Sequence, residues 1–107
     1  MSEFELILVL AVMRLESEAY GAEMAREIQR RTGRDVALGA IYKTLDRLEV
    51  KGYLDFEIGA PREERGGRRR KHYRPTALGR RALERTLQDL DAMRQGLRLE
   101  TAPVASP

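Results

Sequence analysis

The stretch LGAIYKTLDRLEVKGY, residues 38–53, decides the fold that we predict for this chain. Its apolar residues recur at spacings of three and four, which predicts a helix with one buried stripe. The stripe consists of Leu38, Ile41, Leu45 and Leu48. The opposite side carries basic and small residues, which is the profile of a helix that enters a DNA groove. Many surface helices share that profile, so the flanking segments must decide the function.

Two helices are predicted before this stretch. The first, from Glu3 to Leu15, is apolar on nearly every side and must be covered all round. A small domain has few other elements that could bury the helix on all sides, so we take the helix as a first sign of dimerisation. The alternatives are a central core helix or a strand. The second helix, residues 22–32, ends at Gly33, which suits a left-handed C-cap. The short break before residue 38 makes a helix-turn-helix pattern.

A β-hairpin is predicted after the third helix, which we expect to span residues 38–51. Apolar and polar residues alternate from Tyr53 to Ile58, the pattern of a half-buried strand. Residues 59–67 read as a loop, and the strongly basic residues 68–74 read as the returning strand. A hairpin that follows a helix-turn-helix is the outline of a winged helix.

The last predicted helix begins after Pro75, with Thr76 as its N-cap. Its leucines form a narrow seam that resembles a short coiled coil. The predicted fold class is therefore α+β and mostly helical: a winged helix-turn-helix with a two-stranded β wing and a C-terminal dimerisation helix. The predicted domains are the winged helix over residues 1–75, the dimerisation helix over 76–100, and a disordered tail over 101–107.

Four motifs in this order resemble the PadR-like family of transcriptional regulators. They are YGAEMAREI at 20–28, TG at 32–33, LGAIYKTLDRLEVKGYL at 38–54 and GGRRRKHYRPTALGRRAL at 66–83. The single helix after the wing is similar to the short branch of that family, and the chain departs from the common pattern at Ala22 and Pro75. The resemblance implies a homodimer that binds double-stranded DNA and represses nearby genes. In some relatives a small aromatic ligand relieves repression.

The candidate DNA contacts lie on the third helix and on the wing. The set is Ala40, Tyr42, Lys43, Thr44, Arg47, Arg68, Arg69, Arg70 and Lys71. On the helix, we expect Lys43 and Arg47 to read bases with the small residues beside them, and the hydroxyl of Tyr42 to reach a phosphate. The alternatives are solvated charges, an ion pair with Asp46, and a Tyr42 ring that is simply core. On the wing, alternate residues face the same way, so about half of the cations can meet DNA at once; a merely solvated face is the alternative there.

Two further surfaces are predicted on the first and last helices. The candidate dimer interface consists of Leu6, Leu10, Leu83, Leu87, Leu90 and Leu97. A possible effector pocket between these helices would use Phe4, Tyr20 and Met93. The chain has no Trp and only two Phe, which argues against an aromatic effector.

Composition excludes several other kinds of protein. The chain has 107 residues, a net charge of +3 and no Cys, and His72 is its one histidine, so neither a cysteine nucleophile nor a zinc site is expected. No catalytic set or phosphate-binding loop is visible, and we expect no enzyme activity and no cofactor. The apolar run from Leu6 to Met13 is too short to span a bilayer, and a cytoplasmic protein is expected. The alternative functions are a winged-helix module for protein–protein contact, or a ligand-sensing dimer without strong DNA specificity.

Overall fold

The computed structural model describes residues 1–61 and 69–99, with side chains for all of these except residues 60, 61 and 69. Three helices precede an antiparallel hairpin, and a fourth helix follows it. The elements are α1 (Glu3–Leu15), α2 (Gly21–Thr32), α3 (Leu38–Val50), β1 (Leu54–Pro61), β2 (Arg69–Pro75) and α4 (Ala77–Arg94), with one 3₁₀ turn at Glu16–Glu18. The predicted fold class is confirmed.

Helix α1 lies at the centre of the subunit. Its N-terminus carries a capping box in which Ser2 and Glu5 satisfy each other's backbone N–H groups. Leu8, Val9 and Val12 are wholly buried, because α2, α3 and β2 all pack against the helix. The subunit thus covers most of α1 itself. The apolar character of this helix reflects a central core helix, which was the alternative to dimerisation.

Helices α2 and α3 form the helix-turn-helix. Gly33 ends α2 in the left-handed conformation, with φ 77°, and its N–H donates to the carbonyl of Gln29 at 2.8 Å. Ile41, Leu45 and Leu48 of α3 are fully buried against the core. Leu38 is exposed in the first turn of α3, so its assignment to the buried stripe is wrong.

The hairpin is held to the helical body at its base. In its register Leu54 lies opposite Pro75 and Phe56 opposite Tyr73, and the register shifts between Ile58 and Pro61. Strand β1 therefore runs beyond the predicted end at Ile58. The N–H of Tyr73 donates to the carbonyl of Ala19 at 3.0 Å, and Leu54 and Tyr73 are buried. This fixes the wing beside the helix-turn-helix.

The joint between the wing and α4 is closed by Thr76. Its hydroxyl accepts from the N–H of Gly79 at 2.9 Å, as predicted for an N-cap, and donates to the carbonyl of Gly52 at 2.6 Å. Beyond this joint only Leu83 is buried on α4, so the rest of the helix stands away from the body. The helix ends at Arg94 rather than at the predicted residue 100, and Leu97 lies past its end. The predicted tail, 101–107, falls outside the described residues.

Candidate nucleic-acid interface

The N-terminal half of α3 offers an open and small surface. Gly39, Ala40 and Lys43 are exposed, and a Cβ added to Gly39 would meet nothing within 4 Å. No side chain caps the helix at Ala37, so N–H groups of the first turn are left for water or a ligand. Within the described residues Lys43 makes no ion pair. A basic side chain thus stands alone on a surface that another molecule can approach closely.

The outermost stripe of α3 includes residues outside the set of candidate DNA contacts. Gly39, Lys43, Asp46 and Val50 follow one another at spacings of four, three and four, opposite the buried stripe. Val50 is 87% exposed, the most of any large apolar residue described. A carboxylate can accept from the amino group of cytosine, and an apolar side chain can contact the thymine methyl. The spacing from Ile41 and Leu45 was the signal that could have identified this stripe.

Thr44 does not lie on the outer face. It is 4% exposed, and its hydroxyl donates to the carbonyl of Ala40 at 2.9 Å. The physical reason is helical geometry, since Thr44 is three residues after Ile41 and four before Leu48 and shares their buried side. The prediction that Thr44 contacts a base is wrong for this structure.

Tyr42 lies between α3 and the start of α2. Its ring rests on Gly21, where an added Cβ would come within 2.5 Å of the ring and 2.8 Å of the hydroxyl oxygen. The side chain is about half exposed, so it is not simply core. No side chain caps the N-terminus of α2 at Tyr20. The hydroxyl of Tyr42 is therefore near free N–H groups, a combination that suits an anion.

Arg47 and Lys51 converge on one buried carboxylate. The Nε of Arg47 and the Nζ of Lys51 lie 3.1 and 3.0 Å from Oε2 of Glu5 in α1. The other carboxylate oxygen accepts the N–H of Ser2 at 2.9 Å. Arg47 is thus neither a free charge nor a partner of Asp46. No local pattern could have predicted this contact, because Glu5 is 42 residues away in the chain.

The ion cluster makes Glu5 a strong acid. Burial alone would raise its pKa, but the hydrogen bond from Ser2 and those from Lys51 and Arg47 outweigh this and lower the pKa from 4.5 to about 2. A carboxyl whose pKa is lower in the folded state stabilises the fold while it is ionised. Its contribution is therefore complete above about pH 4.5 and disappears as the pH falls towards 2.

We predict that this contribution appears in acid unfolding. The stability of the chain should fall between about pH 4.5 and pH 2, by about 1–2 kcal/mol from Glu5 after allowance for the half-exposed cations, which solvent screens. Glu5→Gln should flatten the dependence of stability on pH in that window. Glu3→Gln, which changes an exposed acid on the same helix, should leave this dependence unchanged. Urea unfolding followed by circular dichroism at several pH values measures this. Parallel curves for wild type and Glu5→Gln would contradict the assignment.

The wing cations have partners of their own. Arg70 stacks on the ring of Tyr20 at 3.8 Å, and Lys71 lies 4.2 Å from the ring of Phe56 with Glu49 at 4.0 Å. The two therefore occupy opposite faces, as the alternation predicts. Arg68 lies outside the described residues, as does the side chain of Arg69.

Arg74 adds little to the positive charge of the wing. Its guanidinium hydrogen bonds to Asp55 at 2.7 Å and also to Glu57, both on the neighbouring strand. Two carboxylates beside one cation leave that part of the hairpin with no excess of positive charge. Among the described side chains of the wing, the basic character of RRRKHYR is therefore carried by Arg70 and Lys71.

The predicted dimer leucines divide into two groups. Leu6 and Leu83 are only 7% and 4% exposed because they pack in the core of their own subunit, so they offer little surface to a partner and this part of the prediction is wrong. The other four are exposed on one subunit: Leu10, Leu87, Leu90 and Leu97. Of these, Leu97 lies outside the helix and cannot continue a helical seam.

The three residues of the predicted effector pocket have different surroundings. Phe4 packs against the core, Tyr20 contacts Arg70 and His72 of the wing, and Met93 is exposed near the end of α4. Met93 borders an open depression of about 640 Å³ together with Leu87, Leu90 and Leu99. One described subunit does not bring the three together, so an effector pocket stays a prediction.

The described part of the chain has neither a metal-ion cluster nor a membrane-spanning helix. Within residues 1–61 and 69–99, no three His, Cys, Asp or Glu side chains are grouped so that they could hold a metal ion. Among the same residues, no helix is both long and apolar enough to cross a membrane.

A helix-turn-helix followed by a two-stranded wing defines a winged-helix protein. The model of the transcriptional regulator PadR-like family matches residues 9–85, which is most of the chain. The chain belongs to the PadR-like family of transcriptional regulators. The interpretation as a regulator rather than an enzyme is thereby confirmed. No curated protein matches the chain in sequence.

Solved structures agree with this assignment. A PadR family transcription regulator from Clostridium difficile is 30% identical, with a TM-score of 0.63 over 82% of this chain and 90% of that one. A PadR family regulator from Eggerthella lenta is 26% identical, with a TM-score of 0.66 over 85% and 79%. Bacillus subtilis PadR in complex with operator DNA shares the fold at 16% identity, with a TM-score of 0.65 over 100% of this chain and 54% of that one.

Proposed function

We propose that this chain is a DNA-binding transcriptional repressor that acts as a homodimer on a palindromic operator. The observation that carries the proposal is the outer face of α3. It is open, small at Gly39 and Ala40, and bears Lys43, which has no ion-pair partner among the described residues. A helix with such a face fits the major groove of DNA, where lysine can donate to guanine. The operator complex of Bacillus subtilis PadR, which has the same fold, supports this use of the domain.

The phosphate backbone would be held at the two sides of α3. The hydroxyl of Tyr42 lies on one side, near the uncapped N-terminus of α2. Arg70 and Lys71 lie on opposite faces of the hairpin, where aromatic partners fix their directions. Among the described residues, the only carboxylate within 4.0 Å of either cation is that of Glu49, beside Lys71. Contacts of this kind hold the protein in register on the duplex and carry little sequence information.

Dimerisation would be carried by the exposed leucines of α4. Residues 77–94 bury little in their own subunit, and Leu87, Leu90 and Met93 share the side that also holds Leu83. A second copy that covers this side would give a two-fold dimer with two α3 helices. The operator then has two half-sites, one or more helical turns of about 34 Å apart. Repression of nearby genes is what the family resemblance implies.

Binding to two duplexes tests the proposal. Fluorescence anisotropy should give at least about a thousandfold tighter binding to the region upstream of the chain's own gene than to a shuffled duplex at moderate salt. Affinity should fall steeply with salt, because phosphate contacts release counterions. Equal affinity for both duplexes would refute specific regulation. Failure to bind either duplex would favour a protein–protein module with the wing against an acidic partner.

We predict different effects for the two kinds of cation. Lys43→Ala should lower the preference for the operator over the shuffled duplex, by about 1–3 kcal/mol if Lys43 meets a guanine edge. Arg70→Ala should weaken binding to both duplexes alike and reduce the salt slope by about one. Arg85→Ala on the exposed side of α4 serves as the control and should change neither quantity. If Lys43→Ala and Arg70→Ala behaved in the same way, this division between bases and phosphates would be wrong.

A further inference from the structure

We infer that Glu5, on the first helix, is a positioning residue that fixes Arg47 for contact with a base. The inference rests on the proposed function, since it concerns how α3 reads DNA. The ion cluster between α1 and α3 joins the central helix of the core to the surface of α3 that faces DNA in the proposed function. The Glu5 carboxylate completes the capping box of α1, and it lies on a face of the helix that is otherwise apolar and buried at Leu8, Val9 and Val12.

The carboxylate of Glu5 is a fixed acceptor. It is 2% exposed, Oε1 is held by the N–H of Ser2, and Oε2 is held by Arg47 and Lys51. Both oxygens are thus used, and the capping box of α1 sets the direction of the side chain. A ligand-binding arginine is most selective when its own support cannot move.

The geometry leaves the working end of Arg47 free. Only Nε binds Glu5, and neither Nη nitrogen has a hydrogen-bond partner among the described residues. The side chain is 49% exposed and lies on the same side of α3 as Ala40, about two turns further along the helix. The two Nη groups can therefore donate to O6 and N7 of a guanine while Nε stays bound. The side chain loses its rotamer freedom on folding rather than on binding, which favours the specific complex.

Lys51 provides a matched comparison. Its Nζ binds the same oxygen of Glu5, at 3.0 Å, but lies one turn further from the open N-terminal half of α3. A lysine bound through its only nitrogen has no second group fixed in direction, unlike the arginine fork. If Glu5 acts through Arg47, loss of Lys51 should leave sequence preference intact.

A double-mutant cycle tests the inference. The quantity measured is the ratio of affinities for operator and shuffled duplex, by anisotropy, in the full chain. Glu5→Gln, which keeps the acceptor for Ser2, should lower this ratio about tenfold in the wild-type background and leave it unchanged in the Arg47→Ala background. Lys51→Met should keep the wild-type ratio. Thermal unfolding checks that each variant is folded. If Glu5→Gln does not fold, Glu5→Asp replaces it; its shorter side chain cannot reach both partners, so it should also lower the ratio.

Three results would overturn the inference. One is an unchanged ratio of affinities in both Glu5 variants. Another is a drop on Glu5→Gln that is equally large in the Arg47→Ala background, which would mean that Glu5 has a merely structural role. The third is tighter binding of every duplex with a steeper salt slope, which would mean that Glu5 withholds positive charge from DNA. A wild-type chain without operator preference would instead refute the proposed function itself, and this inference with it.

Discussion

Replacing Leu90 with glutamate is expected to convert the proposed dimer into a monomer and to weaken operator binding at least about a hundredfold. Leu90 is 54% exposed in one subunit, on the same side of α4 as Leu87 and the buried Leu83. In a two-fold dimer each substituted chain contributes one charge, so two carboxylates would meet in an apolar interface. A monomer binds one half-site and loses the gain from simultaneous contact with two, which commonly reaches factors of 10² to 10⁴.

Sedimentation equilibrium at micromolar protein and anisotropy with the operator measure the two effects. Gln88→Glu is the matched control, because it adds the same charge two residues away, about 200° round the helix, at an exposed position. The control should stay dimeric and bind as the wild type does. If the Leu90 variant remained a dimer with full affinity, the exposed leucines of α4 would not form the interface.

Much of the fold could be predicted because its signals are local. The first helix has its predicted bounds, Gly33 has the left-handed conformation, and Thr76 caps α4. Each depends on residues within a turn of one another, so spacing and cap chemistry suffice. The hairpin followed from alternation in β1 and from the breaks around it.

The errors concern which neighbour covers a side chain. Periodicity places Leu6 and Leu83 on the apolar sides of their helices, but it does not distinguish the core of one subunit from an interface between two. Both residues lie in the core of their own subunit. The small size of Thr44 suggests a position facing DNA, although its spacing from Ile41 puts it on the buried side. In a helix, position relative to the buried stripe is a better guide than residue type.

The sequence predicts where the candidate site lies, but it does not predict which side chains contact one another there. The open half of α3 with Lys43 follows from the amphipathic pattern, and so does the basic wing. The partners do not: Glu5 binds Arg47 across 42 residues, and Tyr20 supports Arg70 from the start of α2. Charges on a single sequence carry no information about which opposite charge is nearest in space. Only the packed structure shows which group holds each cation, as Glu5 holds Arg47 and Tyr20 holds Arg70.

Replacing Gly79 with alanine is expected to be the most destabilising single methyl addition in the described part of the chain. An added Cβ would lie 2.0 Å from the carbonyl oxygen of Tyr53 and 2.8 Å from its carbonyl carbon, which are backbone atoms. They cannot rotate away, because that carbonyl accepts the N–H of Thr76 at 3.0 Å and the N–H of Tyr53 donates to Leu48. Overpacking commonly costs about 1–3 kcal/mol, and a rigid backbone contact belongs at or above the top of that range.

Thermal unfolding followed by circular dichroism measures the effect. A loss of about 3 kcal/mol should lower the melting temperature by about 12–24 °C in a domain of this size. Gly39→Ala is the matched control, since the same methyl group there meets open space within helix α3 and should stabilise the chain by about 0.5–1 kcal/mol. Opposite signs for the two glycines would tie the cost to the joint between the wing and α4 rather than to helix propensity. That joint sets the direction in which α4 leaves the body, so any Gly79 variant that still folds should also dimerise poorly. An unchanged melting temperature would mean that the joint is looser than its contacts indicate.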